Sequence, residues 1–223
     1  MDAGASRARR LWEELAGGHF PVAGEVRVIE NPASRLCPPG WAGIVRLEDS
    51  VLATAPTSET AQLLQRTLDP AALPVLDQLG PAQLAYLLEP ATSASDAVEW
   101  AERVEWVDEA QLSRLVTAVS ADDASESGIP GLQRAAVIRQ GGRIVAAAGW
   151  APWPTQVAHL CVLSHPCVRG RGLATQVAAE ATADALSAGM LPQWRARIGP
   201  SQRIAAKLGY RVLGEQLSLR LAT

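Results

Sequence analysis

A glycine–arginine segment between a strand and a long helix constrains this fold more than any other feature. The strand QVAHLCVL (156–163) leads through SHPCVRGRGLA (164–174) into the alanine-rich helix TQVAAEATADALSAG (175–189). Glycines let a backbone approach a ligand closely, and the N–H groups at a helix start carry partial positive charge. The two arginines of the segment add full charge and several donors. The sequence therefore predicts an anion site that suits a pyrophosphate, in an α/β fold.

Two other phosphate loops are excluded by the same residues. A Walker loop ends in Gly-Lys-Ser/Thr, and no Gly-Lys pair exists in the chain. A dinucleotide fingerprint needs a third glycine where Thr175 stands, and an acidic residue where Met190 and Leu191 stand. These residues leave one alternative open: Gly170 and Gly172 form a tight turn that binds no ligand.

The remaining periodicities from residue 102 onward predict a mixed-sheet α/β domain of about 120 residues. The predicted elements are a strand at 102–107, a helix at 108–116, a polar acidic loop at 120–131, a hairpin at 132–150, an aromatic connection at 151–155, a strand at 193–198, a short helix at 201–209 and a strand pair or one bent strand at 210–221.

The pattern of the first part of the chain predicts a separate α/β lobe. Helical stripes cover 6–18 and 57–68, with strand patterns at 25–32 and 41–56, and the small polar stretch ATSASD (91–96) is the best linker. We therefore predict two domains, 1–95 and 96–223. QLAYLLEP (83–90) resembles QVAHLCVLSHP (156–166), so the first lobe is either an extension or a degenerate copy of a half-domain.

Charge and cysteine content exclude several functions. There are 20 basic and 23 acidic residues, a net charge of −3, so no basic surplus favours nucleic acid or an anionic membrane. No apolar run approaches the roughly 18 residues of a membrane span. Three cysteines without metal-type spacing predict reduced thiols, a cytoplasmic protein and no metal site.

The glycine–arginine segment resembles the GNAT superfamily of N-acetyltransferases. That family's motif, Gln/Arg-x-x-Gly-x-Gly/Ala, is filled by Arg169, Gly172 and Ala174. The preceding VLSHP (162–166) and the later Ser201…Ala-Ala-Lys-Leu-Gly-Tyr are also similar to family patterns. The resemblance covers about 102–221. It implies a mixed, mostly antiparallel central sheet flanked by helices, here with an N-terminal α/β extension.

The resemblance implies acetyl-CoA as co-substrate and acetyl transfer to a primary amine. The acceptor would be a small molecule or amino-acid-like compound, attacking directly in a ternary complex of a monomer or homodimer. Pyrophosphate would bind the loop and pantetheine the strand before it. The implied binding residues are Arg169, Gly170, Arg171, Gly172, Leu173, Ala174 and Thr175 for pyrophosphate, and Val162, Leu163 and Ser164 for pantetheine.

The sequence departs from the family at its usual acid and base. The tyrosine that often donates a proton is replaced by Ala205, and Tyr210 occupies a structural aromatic position. The strand glutamate used by some members is replaced by Ala158. His159 is adjacent, but strand neighbours face opposite sides, so it serves as base only if a bulge turns it. Otherwise it is a packed histidine.

Other candidates lie in the acidic loop and around a proline. Glu126 is a second candidate base, acting through water. Asp122 and Asp123 are acceptor-side candidates that would attract a cationic amine, with a solvated helix end as the alternative. Trp150 and Trp153 would wall an acceptor pocket, with core or rim packing as the alternative.

The missing acid and base residues leave two further functions open: a non-catalytic acyl-CoA-binding or sensor module, and an acyltransferase for protein N-termini.

Overall fold

The computed structural model describes residues 2–88 and 102–222. The predicted linker 91–96, and with it the predicted boundary between 95 and 96, lies outside the described residues. The helices are α1 (Ala3–Ala16), α2 (Ser58–Arg66), α3 (Glu109–Thr117), α4 (Ala121–Ser127), α5 (Leu173–Ser187) and α6 (Gly199–Lys207). The strands are β1 (Val26–Glu30), β2 (Ala42–Leu47), β3 (Ser50–Ala55), β4 (Val75–Tyr86), β5 (Val104–Asp108), β6 (Arg134–Gln140), β7 (Arg143–Trp153), β8 (Val157–Ser164), β9 (Leu191–Ala196) and β10 (Arg211–Leu221).

The chain divides into two compact units. One comprises Met1–Tyr86, Arg195–Gln202 and Arg211–Thr223, and the other Leu87–Trp194 and Arg203–Tyr210. The units are not continuous in sequence, because the last strand, β10, groups with the N-terminal strands. The predicted division into 1–95 and 96–223 stays a prediction, as does the duplication of a half-domain.

The first unit is built on strands in the order β1-β3-β2-β10-β4. β1 pairs with β3 in parallel, and the other neighbours are antiparallel. Helix α2 covers an apolar cluster that includes Ile44, Leu64 and Leu219. Trp12 of α1 donates its indole N–H to the buried hydroxyl of Tyr86 over 2.7 Å. This bond satisfies two polar groups that would otherwise make aromatic burial costly.

The second unit is built on strands in the order β9-β8-β7-β6-β5. Its neighbours pair antiparallel except β8 and β9, which are parallel. Helices α3 and α4 lie over the face that carries Cys161, Leu163 and Ala151. Trp150 alternates with Ala151 along β7 and reaches Asp184 of α5, so α5 lies over the opposite face. The mixed, mostly antiparallel sheet with flanking helices is confirmed.

Helix α4 replaces the acidic loop that the sequence predicts at 120–131. The Ser120 hydroxyl accepts from the Asp123 N–H at 3.0 Å, and Gly128 ends the helix with a left-handed φ of 66°. Acidic residues in the first turn interact well with the helix dipole. Only Ala124 is buried, so the segment has no apolar stripe to reveal a helix.

One strand also differs from expectation. Residues 151–153, predicted as a connection, continue β7 because they pair with β8 as far as Trp153 and Val157. Of the two alternatives predicted for the C-terminal segment, the structure has the single strand, with a register shift between Val212 and Gly214. No helix in the described residues is long and apolar enough to cross a membrane.

Gly214 is the tightest backbone contact of the first unit. A Cβ there would overlap the Arg46 carbonyl of the paired strand β2. We expect Gly214→Ala to lower the free energy of unfolding by about 3 kcal/mol, because the strands must separate. Chemical denaturation measures the loss. Gly40→Ala is the control, since its positive φ costs about 1 kcal/mol but its surroundings are open. Equal losses in the two variants would contradict this account.

Candidate active site

The predicted pyrophosphate segment forms an open turn before α5. Gly170 and Gly172 have φ values of 78° and 84°, which non-glycine residues rarely adopt. A Cβ at either position would meet nothing within 4 Å. These glycines are therefore required by backbone conformation rather than by packing, and they leave the outer surface of the turn open to a ligand.

The first turn of α5 offers backbone donors at the end of this open turn. Gly172 is the N-cap, and no side chain among the described residues caps the turn. The first N–H groups of a helix have no intrahelical acceptor, and the dipole favours an anion there. The turn with Leu173, Ala174 and Thr175 thus fits a phosphate group, and the residues present fit the expected co-substrate.

Both arginines of the segment are anchored by polar contacts. Arg171 donates to the Gln140 side chain at 3.2 Å, next to the hairpin turn between β6 and β7. Arg169 donates from Nη2 to Asp123 Oδ2 at 2.9 Å and to the Ser164 carbonyl at 3.5 Å. The hydrogen bond from Arg169 lowers the pKa of Asp123 below its usual value, and a bond with Ser120 contributes further.

Strands β8 and β9 separate beside this segment. Their parallel pairing runs from Val157 with Leu191 to His159 with Gln193. β8 continues to Ser164, paired with β7 on its other edge. The edge of residues 160–164 that faces away from β7 is therefore not taken up by the described pairing with β9. The predicted pantetheine residues Val162, Leu163 and Ser164 lie on this stretch.

His159 lies at the last paired position before the strands separate. Its Nδ1 is 3.0 Å from Oε1 of Gln193, a fully buried side chain. Its ring stacks on Trp153 with centroids 4.4 Å apart and planes 18° apart. The β7–β8 register is continuous, so no bulge turns His159 toward the face of Ala158, and the condition that the sequence set for a base at that face is not met. His159 lies on the same face as Cys161, while Ala158 faces the other way.

The acidic candidates lie on α4 rather than on a loop. Asp122 and Glu126 are exposed, whereas Asp123 is engaged with Arg169. The C-terminal end of α4 is close to β8, since a Cβ on Gly128 would lie 2.6 Å from Cys161 Sγ. Glu126 and His159 thus belong to the same side of the sheet.

The two tryptophan candidates lie on opposite faces of β7. Trp150 donates its indole N–H to Asp184 of α5 at 2.8 Å, whereas Trp153 stacks on His159 on the α4 side. The structure therefore does not bring them together as one pocket wall. Only Trp153 is beside a candidate catalytic group.

The tyrosine that follows α6 is structural. The Tyr210 hydroxyl shares a 2.9 Å hydrogen bond with Thr182, and Trp194 packs edge-on at 5.5 Å. Burial raises the pKa of Tyr210, and the bond to Thr182 offsets part of this effect. Ala205, in the position of the family's usual acid, is buried and carries no proton donor. This agrees with the structural role that the sequence indicates for Tyr210.

Two features of the site are not predicted from the sequence. The first is Gln193, although a polar residue in an apolar strand, close to Leu191 and Trp194, indicates a buried hydrogen bond. The partnership of Asp123 with Arg169 has no sequence signal, because 46 positions separate them and a helix brings them together.

Comparison with known proteins points to one family. Residues 134–216 match the family model for GNAT acetyltransferases. This part of the chain is therefore similar to a GNAT acetyltransferase domain, and the match supports an acyltransferase. No relative was found among curated proteins by sequence.

Solved structures of GNAT proteins share the fold. A GCN5-related N-acetyltransferase from Kribbella flavida matches with a TM-score of 0.54 and 19% identity, covering 75% of this chain and 67% of that one. A GCN5-related N-acetyltransferase-like protein from Streptococcus suis matches with a TM-score of 0.52, 17% identity and 75% and 70% coverage. A GNAT-family acetyltransferase from Colwellia psychrerythraea matches with a TM-score of 0.51, 14% identity and 74% and 63% coverage. At these identities the likeness shows the fold, and the chain spans about two thirds of these proteins.

Replacement of Tyr210 by Phe tests its structural role. The variant loses one buried hydrogen bond, so we expect about 1 kcal/mol less stability in thermal denaturation. CoA release from acetyl-CoA, with an amine that the wild type accepts, should stay within about twofold. A loss of about a hundredfold or more, typical of a missing general acid, would contradict the structural assignment.

Proposed function

We propose that the protein transfers the acetyl group of acetyl-CoA to the amine of a small molecule or amino-acid-like acceptor. The single observation that carries the proposal is the open glycine turn before α5, next to the edge of β8 that separates from β9. A backbone donor cradle and a strand edge are what a pyrophosphate and an extended amide-containing arm require.

Arg169 to Thr175 would hold the pyrophosphate. Val162, Leu163 and Ser164 would hold the pantetheine through their backbone. Acetyl-CoA supplies an acetyl group activated as a thioester. The protein then needs to bring a neutral amine to that group, since proximity in one cleft supplies a large part of the rate.

No bulge turns His159 to the face of Ala158, so it cannot replace the family's strand glutamate from that side. We propose instead that His159 takes the amine proton on its own face of the sheet, the face that also carries Cys161. Histidine is the side chain whose ordinary pKa lies nearest neutral pH, which suits a general base. With Gln193 Oε1 as acceptor, Nδ1 carries the ring proton and Nε2 carries the lone pair. Stacking on Trp153 holds the ring plane. These contacts support a fixed orientation, in which Nε2 is the atom that receives a proton.

Glu126, the other candidate base, has a different proposed role. It is exposed on α4, and its carboxylate, with that of Asp122, would attract a cationic amine. An exposed carboxylate is the weaker base of the two at neutral pH, so we assign it recruitment of the amine before proton transfer. Three free cysteines support action in a reducing compartment such as the cytoplasm.

A second candidate function is an acyl-CoA-binding module without turnover. Ala205, in the position of the family's usual acid, favours it, because no hydroxyl is available there to protonate a leaving thiolate. Binding of acetyl-CoA without turnover by any amine would support this module. Turnover with peptides but not with small amines would support an acyltransferase for protein N-termini.

Gly172→Glu tests the cradle. A carboxylate in the open turn repels phosphate, so we expect micromolar binding of acetyl-CoA by the wild type and at least a hundredfold loss in the variant. Isothermal titration calorimetry measures both. Gly40→Glu is the matched control, because it has a similar φ of 79° and open surroundings in the first unit. Equal binding by Gly172→Glu and the wild type would overturn the assignment of the turn.

Replacement of the two candidate bases separates their roles. We expect His159→Ala to lower kcat for CoA release by about a hundredfold or more with an unchanged Kd for acetyl-CoA. Glu126→Gln should raise KM for the amine a few-fold and leave kcat within about twofold. The reverse pattern would make Glu126 the base, and two unaffected variants would exclude both residues.

A further inference from the structure

The guanidinium of Arg169 is held on one nitrogen only. Nη2 carries two N–H groups, and these are directed to Asp123 Oδ2 at 2.9 Å and to the Ser164 carbonyl at 3.5 Å. The other three N–H groups, on Nε and Nη1, have no hydrogen-bond partner in the described part of the chain. One edge of the side chain is therefore anchored, and the donors of the other nitrogens remain available to an anion.

The anchor is itself fixed by secondary structure. Asp123 lies in the first turn of α4, where its N–H donates to the Ser120 cap at 3.0 Å. The far end of the helix packs through Gly128 on Cys161 of β8. Ser164, the second acceptor, is the last residue of β8. Arg169 is thus fixed between two elements of the same unit.

This ion pair contributes little to the fold. The side chains of Arg169 and Asp123 are 48% and 39% exposed. Pairs this exposed contribute little to folding stability, because water screens them and both side chains lose rotamer freedom. The contact therefore matters chiefly for what it does to Arg169.

We propose that Asp123 is a positioning residue for the cofactor loop, holding Arg169 ready to bind the pyrophosphate of acetyl-CoA. The inference rests on the proposed function, and it assigns Asp123, which the sequence suggests for the acceptor side, to the cofactor side. Side chains immobilised only on binding reduce affinity, and an arginine held beforehand avoids part of that cost.

Asp123 has two opposite effects on the affinity for acetyl-CoA. Its negative charge weakens the attraction of the loop for a phosphate, so loss of the charge alone would tighten binding. Its carboxylate oxygen orients Arg169, so loss of the acceptor would weaken binding. Asp123→Asn retains an acceptor oxygen without the charge, whereas Asp123→Ala removes both. The two variants therefore separate orientation from charge.

The experiment compares Kd values for acetyl-CoA by calorimetry. We expect Asp123→Ala to raise Kd about three- to tenfold, and Asp123→Asn to stay within about twofold of the wild type. Glu109→Ala is the matched control, because it removes an exposed first-turn carboxylate of another helix, α3, that has no proposed role. In an Arg169→Ala background, Asp123→Ala should have no further effect. KM for S-acetylpantetheine, which lacks the pyrophosphate, should not change in any Asp123 variant.

Four results would overturn the positioning role. The first two are unchanged or tighter binding by Asp123→Ala, and weak binding by Asp123→Asn equal to that of Asp123→Ala. The other two are an equal loss with Glu109→Ala, and a further loss on adding Asp123→Ala in the Arg169→Ala background. A wild type that does not bind acetyl-CoA would overturn the proposed function and this inference together, so the two failures are distinguishable.

Discussion

The site depends on how strand β8 is paired. As far as His159 it pairs with β9 on one edge and β7 on the other, and beyond His159 the described pairing is with β7 alone. The parallel pairing with β9 ends there, while the antiparallel pairing with β7 continues to Ser164. Unpaired backbone polar groups need partners, and an extended ligand with amide groups can supply them. The separation of the two strands therefore leaves backbone groups of β8 that the pantetheine arm would pair with in the proposed function.

The other parts of the site follow from this separation. The end of β8 leads through a short 3-10 helix (Pro166–Val168) into the glycine turn that precedes α5, so the strand edge and the anion cradle follow one another along the chain. His159 marks the last paired position, and Gln193 is its cross-strand neighbour on β9. The proposed base, the arm and the phosphate cradle thus lie in order along one strand and its continuation. The charged contact between Asp123 and Arg169 ties α4 to the same segment.

The sequence was most informative where the backbone itself is unusual. Gly170 and Gly172 have positive φ values, which favour glycine, and an alanine-rich helical segment follows them. These residue types predict the turn and the start of α5. The hairpin at Gly141 and the mixed sheet were predictable for similar reasons. Helix α4 was missed because its short acidic segment buries one alanine and has no apolar stripe. Long-range side-chain pairs were not predictable, since only the fold brings Asp123 to Arg169 and Gln193 to His159.

The most direct test of the central claim is backbone amide hydrogen exchange with and without acetyl-CoA. We expect slower exchange, on binding, of N–H groups in residues 160–164 and 170–175. Groups in the turn of residues 141–142 should be unaffected, because they belong to a hairpin outside the strand edge and the cradle. Protection confined to other segments, or none in these two, would contradict the claim that β8 and the turn before α5 hold the co-substrate.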